Sequence, residues 1–174
     1  VEHAHKFRGK RPNNWLVLPM FTISREIDFC YGHRLIGYSG KCRYLHGHNG
    51  RVVITLATRS LDQRGMVADF GDIKRIVSAW IDKHLDHRMI LHKDDPAVQY
   101  LKQLGEPLVL LDVNPTAENI AILIAQYAQS QGLPVRQVQL WETSHCVASY
   151  CPGENTAHTI SMVEVSAGPD APAS

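Results

Sequence analysis

The segment Cys42-Arg43-Tyr44-Leu45-His46-Gly47-His48-Asn49 concentrates groups able to hold or activate a metal ion. In an extended chain, side chains two residues apart share a face. His46 and His48 then present both imidazoles to one side, while Gly47 points away and adds no bulk between them. Two such histidines can share one ion, and a third protein ligand leaves a fourth position open, as in catalytic zinc sites. His33 is the natural third ligand, because it is in phase with Phe21, Ile27, Phe29 and Tyr31. The competing reading is two exposed turn histidines and one core histidine; the spacing favours the metal. Cys42 has two readings. As a fourth ligand it would close the site and make it structural; held just outside, it would be a base whose thiolate a nearby dication favours.

Other polar residues carry weaker signals. Glu142 shares a strand face with Val138 and Leu140, so its carboxylate is expected to point inward, where an unpaired charge is expensive. Such a carboxylate either pairs with an internal cation or accepts from a ligand that offers parallel N–H donors. Asp86-His87 closes a helical stretch, and by itself reads as a solvated aspartate beside a histidine that complements the helix dipole. Thr116 and Glu118 stand at a helix start, where a hydroxyl cap and a first-turn carboxylate are favoured in any case. Cys30, Cys146 and Cys151 read as small apolar residues.

These residues need elements to position them. Phe21, Ile23, Ile27, Phe29 and Tyr31 keep odd positions apolar, which predicts a strand. Val52, Ile54 and Leu56 repeat the pattern, giving a second strand whose start carries His46 and His48. Ile73, Ile76, Val77, Trp80 and Ile81 then follow helical spacing, with Asp69 or Asp72 as cap. A second helix opens at Asn114-Pro115-Thr116, buries Ile120, Leu123, Ile124 and Tyr127, and stops at Gly132 and Pro134. Val138 to Glu142, a turn at Thr143-Ser144-His145, and Ala148 with Tyr150 predict two further strands. Ile160 to Val165 can add another. The order predicts an α+β fold with an antiparallel sheet covered on one face.

At 174 residues the chain suits one domain, expected over 20–165. Residues 1–19 read as a basic, flexible extension and 166–174 as a flexible tail. A net charge of +1 excludes strong electrostatic attraction to nucleic acid or a membrane surface. No apolar run suits a membrane span, and no secretory leader is read at the N-terminus. Four unevenly placed cysteines fit free thiols in a reducing cytoplasm, the expected location.

Taken in order, the motifs resemble the 6-pyruvoyl-tetrahydropterin synthase family, over about Phe21 to Tyr150. Phe29-Cys30-Tyr31-Gly32-His33-Arg34-Leu35 is similar to its first zinc motif, although Gly32 stands where alanine is more usual. Cys42-x3-His46-Gly47-His48-Asn49 is similar to its cysteine and paired histidines, Leu85-Asp86-His87 to its catalytic pair, and Trp141-Glu142-Thr143 to its pterin-gripping strand end. Gly65 to Asp72 and Pro115 to Asn119 resemble its two helix entries.

The resemblance implies a tunnelling fold. Four antiparallel strands carry two helices on one face, three subunits join sheets into a barrel, and two trimers stack into a hexamer with intersubunit active sites. It implies Zn2+ on His33, His46 and His48, and catalysis by Cys42, Asp86 and His87. Glu142 would hold the pterin, with Glu118 and Thr116 as further substrate contacts. The expected reaction converts 7,8-dihydroneopterin triphosphate to 6-carboxy-5,6,7,8-tetrahydropterin, a step in queuosine biosynthesis. The alternative is triphosphate elimination to the 6-pyruvoyl product. Some relatives carry glutamate in place of the cysteine and make another product; Cys42 argues against that branch. A reading of another class is a non-catalytic zinc module with Cys42 as fourth ligand.

Overall fold

The alternating run after Met20 forms one long strand, β1 (Phe21–His33), which returns antiparallel as β2 (His46–Thr58). The computed structural model describes residues 20–153 and 159–165; the expected extension and tail lie outside the described residues. Register pairs His33 with His46 and Tyr31 with His48, so alternation sends all four side chains to the same side. Farther along, that side carries Ile27, Phe29, Val52, Ile54 and Leu56, all buried.

The helical stretch after Asp69 is built in three pieces. Asp69 caps it by accepting from the Gly71 amide at 2.7 Å. α1 (Phe70–Ile73) leads into a π-helical turn, Lys74–Ser78, and then α2 (Ala79–His84). The wider turn keeps Ile73, Val77, Trp80, Ile81 and Leu85 facing the sheet. The second long helix lies beside it: α4 (Ala117–Ser130) stacks Tyr127 on Trp80, ring centroids 4.5 Å apart. Its Ile120, Ala121, Leu123 and Ile124 enter the same core as Val138 and Leu140 of β5 (Val135–Thr143). Burying each large aliphatic side chain of this layer contributes about 1.5–3 kcal/mol. β6 (Cys146–Tyr150) follows the expected turn and pairs with β5.

The four expected antiparallel strands, β6-β5-β2-β1, are present, and the sheet then continues beyond them. β3 (Arg88–His92) pairs parallel with the last residues of β1, β4 (Leu108–Leu111) pairs parallel with β3, and β7 (Met162–Val165) closes that edge antiparallel. β3 and β4 were not anticipated. Leu108-Val109-Leu110-Leu111 is buried on both faces, so it lacks the alternation that marks a half-exposed strand. α3 (Ala97–Gln103) was also missed. Its Val98 and Leu101 pack with Leu91, Leu108 and Leu110 in a separate small core, apart from the layer holding α2 and α4.

This added region braces the end of β1. Arg34, one residue past His33, donates from Nε and Nη2 to the two oxygens of the buried Asp95, at 2.7 and 2.5 Å. Met89 of β3 lies over Gly32, where an added Cβ would come within 2.6 Å of its terminal methyl. The small residue before His33 therefore accommodates a strand the sequence did not announce.

Candidate metal centre

The three histidines converge as their spacing requires. His33 Nε2 lies 3.0 Å from His46 Nε2 and 3.1 Å from His48 Nε2. The outer nitrogens fix two of the tautomers. His33 Nδ1 donates to the Pro115 carbonyl at 2.7 Å, and His46 Nδ1 donates to the Tyr44 carbonyl at 2.8 Å. With protons on the outer nitrogens, each neutral ring turns a bare lone pair toward its neighbour. Burial lowers the pKa of His33, against the opposing influence of the Pro115 carbonyl and Glu142, and disfavours the imidazolium that could relieve the contact. Acceptors facing acceptors at this distance suit a shared cation. The donor set fits a metal ion held by three imidazoles, two of them oriented by backbone carbonyls.

A carboxylate borders the triad. Glu142 Oε1 stands 3.7 Å from His33 Nε2 and 3.9 Å from His48 Nε2, and accepts from Tyr31 Oη at 2.9 Å. Its side chain is 23% exposed, so it is inward-facing yet reachable. Burial, reinforced by the adjacent Glu142 charge, raises the Tyr31 phenol well above its ordinary pKa and keeps it a donor. Gly50 makes room for this arrangement. A Cβ there would sit 2.9 Å from the Tyr31 ring and 3.1 Å from that of Phe29. Arg51 and Trp141, in cation–π contact at 5.0 Å, line the adjoining surface pocket with His48, Glu142 and Thr143.

Asp86 and His87 occupy a different place. Cys30 points to the sheet side opposite His33, toward its cross-strand partner Asn49. There Asp86 Oδ1 accepts from the Cys30 amide at 2.7 Å, and the His87 amide donates to the Cys30 carbonyl at 2.7 Å. Asp86 Oδ2 accepts from His87 Nδ1 at 2.8 Å, leaving the imidazole 78% exposed. The pair is thus a real hydrogen-bonded unit, on backbone that takes His87 to φ 53°.

A model of the 6-pyruvoyl tetrahydropterin synthase family matches residues 22–153. The chain belongs to this family. It is 40% identical over 134 residues to 6-carboxy-5,6,7,8-tetrahydropterin synthase of Rickettsia bellii, covering 73% of this chain and 97% of that protein. Identity to the protein of the same name from Haemophilus influenzae is 30%, covering 75% and 99%. Among solved structures, an uncharacterised protein of Wolinella succinogenes superposes with a TM-score of 0.64 at 28% identity, covering 78% of this chain and 99% of that one. Caenorhabditis elegans 6-pyruvoyl tetrahydropterin synthase gives 0.58 at 26%, covering 78% and 98%.

Within this family member, the remaining expected residues fall as follows. Cys42 sits half-buried in a short 3-10 turn, Lys41–Arg43, and its carbonyl accepts from Leu35. Its thiol is not among the ligand atoms that converge on the triad. Thr116 caps α4 by accepting from the Asn119 amide at 3.3 Å, and Glu118 is exposed in the first turn. Sequence reasoning missed Tyr31, although it stands two residues before His33 in the same phase. It also read Asn114-Pro115 only as a helix entry, whereas Asn114 grips both the amide and the carbonyl of Ile36, at 3.0 and 2.9 Å.

Proposed function

We propose that this protein is a zinc-dependent pterin synthase that converts 7,8-dihydroneopterin triphosphate to 6-carboxy-5,6,7,8-tetrahydropterin. The observation that carries the reading is the convergence of three imidazoles beside an inward, reachable carboxylate. The names borne by the relatives from Rickettsia and Haemophilus support the 6-carboxy product.

His33, His46 and His48 would hold zinc, which would supply a Lewis acid that makes the substrate's side-chain hydroxyls easier to deprotonate. Glu142, oriented by Tyr31, accepts from the pterin amino group and ring N–H; Thr116 and Glu118 add contacts from the start of α4. Cys42 acts as general base at the side-chain carbons. Asp86 orients His87, which supplies or removes the complementary proton, and groups so positioned contribute about 10²–10⁴-fold each.

The triad and the Asp86–His87 pair lie on opposite sides of one sheet, which supports an assembly in which one copy's pair reaches another copy's triad. A hexamer built from two trimeric barrels does this. No described helix is long and apolar enough to cross a membrane, and a cytoplasmic enzyme is the reading that free cysteines support.

The test is to incubate zinc-loaded protein with 7,8-dihydroneopterin triphosphate, without added reductant, and identify products by mass spectrometry. A 6-carboxy product with acetaldehyde is expected. A 6-pyruvoyl product would reassign the reaction while keeping the site, and no turnover by folded, zinc-loaded protein would reject the enzyme reading.

A further inference from the structure

Beyond the three histidines, the sheet carries a second convergence of metal-binding groups. Cys30 Sγ, a carboxylate oxygen of Asp86 and a ring nitrogen of His87 all lie within 4.8 Å of one another. They come from separate parts of the chain, β1 and the turn after α2, and are locked together by backbone. The Cys30 amide donates to Asp86 and the Cys30 carbonyl accepts from His87, both at 2.7 Å. Asn49 Oδ1 lies 3.2 Å from Cys30 Sγ and adds an oxygen donor. The cluster lines an open surface pocket with Asp28, Phe29 and Gly50, so an ion has a path from solvent. Thiolate, imidazole and carboxylate together suit a borderline-soft divalent ion; a hard cation such as magnesium prefers oxygen alone.

We propose that Cys30, Asp86 and His87 form a second metal site, filled by zinc or a similar thiophilic divalent ion and weaker than the three-histidine site. Its weakness follows from poorer preparation for a metal: the His87 nitrogen is already engaged by Asp86, whereas backbone carbonyls turn the free nitrogens of His33 and His46 toward the triad's centre. On binding, Cys30 releases its thiol proton to solvent, and the neutral His87 moves its proton from Nδ1 to Nε2, so that Nδ1 and the Asp86 carboxylate both turn to the ion. If these two are the acid-base pair, as in the function proposed above, excess metal inhibits by occupying them.

Cobalt(II) reads the second site directly, because three imidazoles give no thiolate-to-metal charge-transfer band. Metal-free protein is titrated with cobalt and followed in the near ultraviolet. The thiolate band is expected only with the second equivalent. It should persist in His46→Ala, which damages the first site, and in Cys42→Ser, and it should vanish in Cys30→Ser. A band that survives Cys30→Ser, or binding that stops at one ion per chain, would overturn the second site. The inhibitory role is checked with zinc: turnover should fall by about 10²–10⁴-fold as the second equivalent binds, the share owed to one acid-base group. Cys30→Ser should resist this loss relative to its own one-equivalent rate. Equal sensitivity in that variant would reject inhibition at this site, and absent turnover at one equivalent would instead count against the enzyme reading.

Discussion

The two sides of the β1–β2 hairpin assemble chemistry by different means. On the helix-covered side, strand register does the work: pairing His33 with His46 and Tyr31 with His48 places the groups of the centre by alternation alone. On the other side, Asp86 and His87 arrive from a turn and are held by backbone hydrogen bonds to Cys30, with His87 in a left-handed conformation uncommon for a non-glycine residue. A buried set fixed by register suits a resident ion, which must not be lost between turnovers. An exposed pair on a turn suits proton exchange, because its imidazole can meet solvent and substrate alike.

Four substitutions test that contrast. His46→Ala should abolish metal retention at the triad while circular dichroism stays native. Elemental analysis that finds normal loading at that site would break the comparison outright. Asp86→Asn should leave the triad's metal content unchanged yet lower kcat by about 10²–10⁴-fold, as expected for a proton-transfer partner. A rate close to the parent's would remove the pair from catalysis.

Asn114→Ala frees the segment after His33 and disturbs the strand of chain whose Pro115 carbonyl orients that imidazole. Metal affinity, measured by competition with a chromophoric chelator, should fall about 10–100-fold, as for other outer partners of metal ligands. An unchanged affinity would mean that register alone sets the geometry. Gly50→Ala pushes a methyl group against the rings of Phe29 and Tyr31 and should cost about 1–3 kcal/mol. That cost should appear as a lower Tm, with the hydrogen bond from His87 to Asp86 untouched on the far side. A higher Tm would show that the rings have slack.

The same contrast explains what could be read from sequence. The triad was legible because periodicity two encodes a face directly, and Glu142 was legible for the same reason through Val138 and Leu140. Asp86-His87 carried no comparable code; its location depends on where a helix ends and on which backbone amide the carboxylate meets. Cys30 looked like a small apolar residue because its neighbours in the turn are 56 positions away. β3 and β4 were hidden by their continuous burial, and with them went the anchoring of Arg34 by Asp95. The π-helical turn inside 70–84 was also invisible, since the apolar stripe reads as an ordinary helix on either side of it.

Four of the five residues between Leu111 of β4 and Ala117 of α4 answer to different parts of the molecule. Asp112 accepts from Ser161 ahead of β7, Asn114 holds Ile36, Pro115 orients His33, and Thr116 starts the helix. The stretch therefore behaves as a ruler. Adding or deleting one residue there would put every one of these groups out of step at once, so change of length is far less forgivable here than change of residue. An exposed turn such as Asp62–Met66, whose hydrogen bonds close within it, has no such calibration to lose.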